Sequence, residues 1–447
     1  MKNLTEGRIS RHLLFLAWPS ILLFTLNSSF NVIDLFWVGR LGANAVAAVS
    51  IAFVVIFLIM AFGIGLEIGT NSVISRYLGE GNKKSASDAM IHSLVLGIIM
   101  SGVILLSFFI LEELLLGLGV GPDIFDMTYD YLSIIILGHA TYFLVYAAFG
   151  VFFGAGDTKT PLKITAILLG INFILDPIFI LGFSGFPAMG IVGAAYATII
   201  SRGIGMVLVI YLLLVRKTVF QFEIRSFKIQ RLIFKRILIV NIPSVITFLA
   251  VSMGEILLMR NVAMFGTYAI ASYGISMRLD IFAILPAVGL QIATLAIVGQ
   301  NVGAKKFSRA RKTAWASSLM SIAILGGIGL IFWVWAPYFL SIFSNNLQVI
   351  EVGTEYLQIV ALTYAFRGLT MTLGSAFQGA GDAKPPMILS IVSSGILAVT
   401  SAYILSIVLN FGILGVWYAI AGSAIFSGIT NTIWFKLFQF KTSKKVT

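Results

Sequence analysis

The fold class this sequence predicts is an all-α polytopic membrane protein: twelve transmembrane helices in two six-helix lobes. Three observations carry that expectation: sparse charge, apolar runs of bilayer length, and an internal repeat. Of the 447 residues, 59% are hydrophobic and 11% charged, and the mean hydropathy is +1.01. A soluble domain carries about 25% charged residues, so this chain lacks the charge to clothe a water-facing surface. A single soluble domain, a disordered chain and a nucleic-acid binder are thereby excluded. The net charge of +12 lies mostly in short loops between apolar runs rather than on one binding face. Cysteine is absent, which removes disulfides, thiolate metal sites and thiol nucleophiles.

A spanning helix needs about 20 mostly apolar residues. In the first half such runs lie at 12–38, 47–72, 89–115, 128–152, 160–182 and 188–214; in the second, at 237–262, 271–298, 312–338, 352–378, 385–409 and 411–437. The first run is read as a span and not a signal peptide. It is too long, no small-residue cleavage pattern follows it, and it contains Pro19, Asn27, Asn31 and Asp34. The domains expected are an N-terminal lobe at 1–214, a charged linker at 215–236 and a C-terminal lobe at 237–447.

Lys and Arg favour cytoplasmic loops. Of the 30 basic residues, all but Arg40, Arg202, Arg260, Arg278 and Arg367 fall at the termini or in alternate loops, with the densest group in the central linker. Both termini are therefore expected in the cytoplasm. The other face carries Glu112, Glu113, Asp123, Asp126, Glu351 and Glu355.

The chain repeats itself. Gly154-Ala155-Gly156-Asp157, Lys159 and Pro161 recur as Gly379-Ala380-Gly381-Asp382, Lys384 and Pro386, at an offset of 225. Gly190, Gly193, Tyr196 and Ala197 recur as Gly412, Gly415, Tyr418 and Ala419, 222 residues on. Pro19-Ser20 matches Pro243-Ser244, and Leu66, Ile68, Thr70 and Gly79 match Leu290, Ile292, Thr294 and Gly303, at an offset of 224. Four ordered matches at a nearly constant offset mark a duplication. Six spans is an even number, so both copies enter the bilayer from the same side. The lobes are then related by a pseudo-two-fold axis along the membrane normal, as in many secondary transporters. Substrate is expected in a cleft between the lobes.

A charge at the bilayer centre costs at least about 2.5–3.5 kcal/mol and usually faces a partner or cavity. Asp34 in span 1 and Asp176 in span 5 are expected at similar depth in the outer third of one lobe. Asn172 precedes Asp176 by four residues, on the same helical face. Pro177 cannot donate a backbone hydrogen bond, which frees a carbonyl about one turn earlier. Such an oxygen-rich site suits a proton held between close carboxylates, or a small hard cation such as Na⁺. Glu255 and Arg278 are expected to form a structural ion pair that Asp280 joins or flanks. Arg202 and Arg367 lie near mid-membrane without a sequence partner. Glu67, near the cytoplasmic end of span 2, reads as structural, and His139 as a packed core residue. The many Phe and Met residues favour packing, although a cleft they line would suit bulky, varied ligands.

No G-x-x-x-x-G-K-[ST] loop, H-E-x-x-H, voltage-sensor arginine run or T-V-G-Y-G filter occurs. Transport powered by the chain's own ATP hydrolysis is not expected, nor is an enzyme or a channel, and no cofactor is implied.

Taken together, Pro19-Ser20, Asp34 followed by Leu35-Phe36-Trp37-Val38-Gly39-Arg40-Leu41-Gly42, the twice-used Gly-Ala-Gly-Asp turn, and Asn172 with Asp176-Pro177 resemble the multidrug and toxic compound extrusion (MATE) transporters over all twelve spans. The resemblance implies a two-lobed bundle that alternates its opening. It implies export of cationic amphipathic compounds in exchange for H⁺ or Na⁺. The family's first-lobe cation site would fall on Asp34, Asn172, Asp176, Ala194 (by its carbonyl) and Thr198, with Asp34, Asn172, Asp176 and Thr198 as ligands if the ion is Na⁺. Asn27 and Phe30, with Asp34 and Asn172, would line the drug pocket. A second-lobe polar cluster of Glu255, Arg278, Asp280 and Arg367 departs from the NorM-type pattern, because span 10 offers Arg367 where that pattern has an Asp. The chain therefore looks closer to the DinF-like branch. The alternative is a lipid-linked oligosaccharide or lipid II flippase of the wider superfamily, although those usually carry fourteen spans and a strongly cationic cavity. The expected partners are small-molecule drugs and membrane lipid, without nucleic acid. The expected setting is a prokaryotic plasma membrane, with a monomer as the working unit.

Overall fold

In hydrocarbon every backbone N–H and C=O must be satisfied within the protein, which leaves helices as the economical solution for runs such as these. The computed structural model describes residues 3–215 and 229–438. Most of the charged linker, and the tail beyond 438, lie outside the described residues. Among these residues every regular element is helical. Ten helices are long and apolar enough to cross a membrane, and a pair bent by 48° makes eleven.

The first six spans are span 1 (Ile9–Leu41), span 2 (Ala43–Gly79), span 3 (Lys83–Gly117), span 4 (Pro122–Leu137 with Ala140–Gly154, the bent pair), span 5 (Lys159–Leu181) and span 6 (Ile191–Val215). Then follow span 7 (Arg231–Ala263), span 8 (Thr267–Gly303), span 9 (Phe307–Ser341), span 11 (Lys384–Val408) and span 12 (Ile413–Leu437). Span 10 consists of Leu347–Val360 and Tyr364–Ala380, joined by a 3₁₀ turn at Ala361–Thr363. It carries Glu351, Glu355 and Arg367, which is why its apolar character is the weakest. With it the helices number twelve, as the repeat requires.

The duplicated turn shows how one local rule serves both copies. After span 4, Gly156 adopts φ +74° and donates to the Phe153 carbonyl, while Asp157 N–H reaches Phe152 O, each at 2.9 Å. After span 10, Gly381 adopts φ +90°, with Gly381 N–H on Gln378 O and Asp382 N–H on Phe377 O, both at 3.0 Å. This is the Schellman ending, which needs glycine at its left-handed position. The aspartate then caps the next helix: Asp157 Oδ1 accepts from Thr160 N–H at 3.0 Å and Asp382 Oδ1 from Lys384 N–H at 3.2 Å.

The glycine that opens each motif is needed for close approach. A Cβ on Gly154 would stand 2.9 Å from the Asn71 carbonyl, and one on Gly379 2.6 Å from the Leu295 carbonyl. Positions 71 and 295 are themselves one repeat apart. We expect Gly379→Ala to lower stability by about 1–3 kcal/mol, the usual cost of overpacking. Gly274→Ala, where a Cβ meets nothing within 4 Å, should be neutral or better. Thermal unfolding of the detergent-solubilised variants tests the contrast; equal behaviour would reject this account of the glycine.

Two compact units emerge from the contacts. One is Leu22–Asn241; the other joins Asn3–Ile21 to the residues from Ile242 on. The lobes expected at 1–214 and 237–447 thus exchange short pieces of spans 1 and 7. In the second unit Leu13, Leu16 and Ala17 of span 1 bury against Leu290, Ala293 and Ile297 of span 8. In the first unit the start of span 7 is pinned by Arg236, whose Nη1 donates to the Tyr77 hydroxyl at 2.9 Å. The division falls within a turn of Pro19 and of Pro243, where a helix lacks one backbone hydrogen bond. Large apolar side chains such as Val103, Phe109 and Tyr338 are exposed, as expected of lipid-facing surface.

Candidate functional site

The first unit gathers polar groups from spans 1, 4, 5 and 6. Asn172 and Asp176 stand one turn apart on span 5, both fully buried, and Asn172 Nδ2 donates to Asp176 Oδ1 at 3.1 Å. Asp34, half-buried on span 1, lies within electrostatic reach of both Asp176 and Asn172. Two carboxyls so close repel unless a proton or cation lies between them. Span 6 presents Ala194, Thr198 and Arg202 at four-residue spacing, hence on one face; Ala194 and Thr198 are buried.

The hydrogen-bond accounting makes the site unusual. Asp34 Oδ1, Asp176 Oδ2, Asn172 Oδ1 and Thr198 Oγ1 are all buried without a hydrogen-bond partner. Most buried polar atoms are paired, and each exception calls for an explanation such as an ion or water. Three of these four atoms can only accept. The set therefore fits a proton, or a small cation held by Asp34, Asn172, Asp176 and Thr198. Among the described residues there is no group of three or more His, Cys, Asp or Glu residues that could hold a metal ion.

Arg202 brings a positive charge to the same place without cancelling it. Its guanidinium carbon lies 3.7 Å from the Tyr142 ring centroid and 5.5 Å from that of Phe30. It feels the charge of Asp34, yet among the described residues no ion pair joins them, and Arg202 Nε has no hydrogen-bond partner. The cation rests on aromatic faces, an attraction that strengthens where water is scarce. Phe30 is buried in this cluster, and Asn27, two turns before Asp34, is half-buried.

Sequence reasoning missed Tyr131, Tyr142 and Tyr146, all three within electrostatic reach of Arg202 and the first two of Asp34 as well. The available signal was chemical, because buried tyrosines usually find a polar partner for the hydroxyl. The bend in span 4 lies at Gly138-His139. His139 is buried and stacked on Tyr142 at 4.9 Å, in keeping with its reading as a core residue.

The second unit pairs its charges differently from the expectation. Asp280, not Glu255, holds the ion pair, and its partner is Arg367, with Nη1 3.0 Å from Asp280 Oδ2. Tyr356 OH donates to the same oxygen at 2.7 Å and Tyr364 OH to the other. Glu255 lies within electrostatic range of Arg367 and Asp280. Arg278 is exposed, and among the described residues it makes no ion pair with Glu255. The reason is helical phase: Arg278 and Asp280 are two residues apart on span 8 and so face different ways.

The repeat has a counterpart among known proteins. The MatE family model matches residues 19–178 and again 243–404, the two halves of the repeat. The chain belongs to the MatE family of membrane transporters. It is 29% identical to the probable multidrug resistance protein YoeA of Bacillus subtilis, covering 97% of this chain and 94% of that one. It is 26% identical to the multidrug export protein MepA of Staphylococcus haemolyticus, covering 93% and 90%. An FAD transporter of Shewanella oneidensis is 25% identical over 84% and 83%. Among solved structures, an outward-facing multidrug resistance MATE transporter of the MOP superfamily superposes with a TM-score of 0.91, at 25% identity over 98% of both chains.

Proposed function

We propose that this protein is a secondary active exporter of cationic amphipathic compounds, which it exchanges for H⁺ or Na⁺ by alternating access. The observation that carries the reading is the Asp34–Asp176 site, with two neighbouring carboxyls and four unpartnered buried oxygens. Drug cation and coupling ion satisfy the same electrostatic demand, so the arrival of one favours the departure of the other. Family membership and the multidrug names of the relatives support the cargo class. The coupling site lies in the first lobe, in the manner of the DinF-like branch, because Asp280 is already neutralised by Arg367. Both termini face the cytoplasm, by the distribution of Lys and Arg. The setting is a prokaryotic plasma membrane and the working unit a monomer.

A second reading is export of an anionic aromatic compound. Arg202, held on aromatic faces with a free Nε–H, favours it. Ethidium efflux from proteoliposomes under an imposed proton gradient and then a Na⁺ gradient tests the first reading and names the ion. Efflux under neither gradient, with FAD moving instead, would give the second reading the place of the first.

A further inference from the structure

Glu67 lies two-thirds of the way along span 2, in the run Leu66-Glu67-Ile68-Gly69-Thr70. The repeat places Gln291 at its counterpart, in Leu290-Gln291-Ile292-Ala293-Thr294. One copy thus carries a carboxyl where the other carries the neutral amide of the same shape. Sequence position suggested a side chain reaching back to the interface, yet the residue is only 7% exposed. Among the described residues its side chain makes no hydrogen bond or ion pair. A carboxylate so placed is costly unless it is paired or takes up a proton.

Its surroundings connect it to the first-lobe site. Tyr146 of span 4 packs against Gly63 on span 2, where an added Cβ would meet the ring at 2.5 Å. It lies within electrostatic range of Glu67, of Tyr142 one turn earlier, and of Arg202. Arg202 in turn lies against the Tyr142 ring and feels Asp34. Span 2 itself carries Arg76 and Tyr77, about two and a half turns beyond Glu67. The titratable groups of span 3, which also packs on span 2, are Lys83, Lys84, Asp88 and His92 in its first three turns, and Glu112 and Glu113 near its other end. Those of the first half of span 4 are Asp123, Asp126, Tyr129, Asp130 and Tyr131, beyond the bend. The start of span 7 meets span 2 beside Gly69 with Ile237 and Asn241, neither of which titrates, and its Arg236 lies further on, at Tyr77.

We propose that Glu67 is a second proton-carrying carboxyl of the transport cycle, distinct from the Asp34–Asp176 site and coupled to it through Tyr146, Tyr142 and Arg202. The inference rests on the proposed exchange, with H⁺ as the ion. One carrier site trades one proton for one monovalent drug cation and moves no net charge. Two sites trade two protons, and one net charge enters per cycle. Transport by the wild type then responds to membrane potential as well as to pH. One net charge across 100 mV is worth about fifty-fold in accumulation ratio.

The test uses the full chain in two ways. Infrared pH-difference spectra of the solubilised protein report carboxyl C=O bands without any transport. Ethidium movement in proteoliposomes, under pH and potential gradients applied separately, reports coupling. Glu67→Gln reproduces the amide of the other copy, so it is expected to fold; it should lose one carboxyl band and all potential dependence while retaining pH-driven transport. Glu67→Asp should keep both, and Asp34→Asn should lose a different band. An unchanged infrared spectrum in Glu67→Gln overturns the proposal, and so does a lost band with potential dependence intact. Should the wild type fail to transport under any gradient, the exchange reading itself falls and carries the coupling role with it. The spectra would then still say whether Glu67 takes up a proton.

Discussion

Gradient-driven export is expected to be lost in Asp34→Asn, by about tenfold or more, with the protein still folded and inserted. The substitution keeps volume and polarity while removing the charge. The introduced amide can donate to Asp176, so the fold loses little; what it cannot do is alternate between holding a proton and holding a cation. The direction of the pH effect follows. Protons and drug cations compete for the same oxygens, so wild-type drug affinity should fall as pH is lowered, and the affinity of Asp34→Asn should be weak and nearly flat. Efflux assays and drug-binding titrations on the purified proteins check both statements. Full export by Asp34→Asn would sink the first-lobe mechanism.

The second large effect is structural. Asp280→Ala is expected to destabilise the protein by roughly 3 kcal/mol, toward the lower end of the range for breaking a buried pair. The lower end applies because the Arg367 side chain keeps 27% of its exposure. The loss leaves the guanidinium without its carboxylate and strips the Tyr356 and Tyr364 hydroxyls of their acceptor. Both rings belong to an aromatic and aliphatic core that includes buried Trp417, with Tyr356 at 4.9 Å and Tyr273 at 5.6 Å from it. Removing the charge at both ends, in Asp280→Asn with Arg367→Gln, should recover much of the loss. A thermal-stability double-mutant cycle measures the coupling. Additive single effects would show that the pair contributes nothing, and loss of export without loss of stability would move it into the transport machinery.

Much of this protein is legible in its sequence. Span number and the duplicated halves follow from hydropathy, charge distribution and the Gly-Ala-Gly-Asp repeat, because lipid leaves a long apolar run little choice but a helix and because a Schellman ending demands glycine at a fixed place. The Asn172–Asp176 contact also follows from spacing alone, since residues four apart on a helix share a face. Contacts between helices were another matter. Asp280 finds Arg367 across 87 positions, and Arg202 settles on Tyr142 and Phe30 rather than on a carboxylate. Those partners depend on how helices rotate and cross, which side-chain packing sets and residue type alone does not. Spans 1 and 7 divide between the units beside Pro19 and Pro243, residues whose kinking tendency is local but whose consequence is not. Glu67 shows the same limit: its type and position read as an interfacial side chain, and only burial against span 4 made it an acid without a partner.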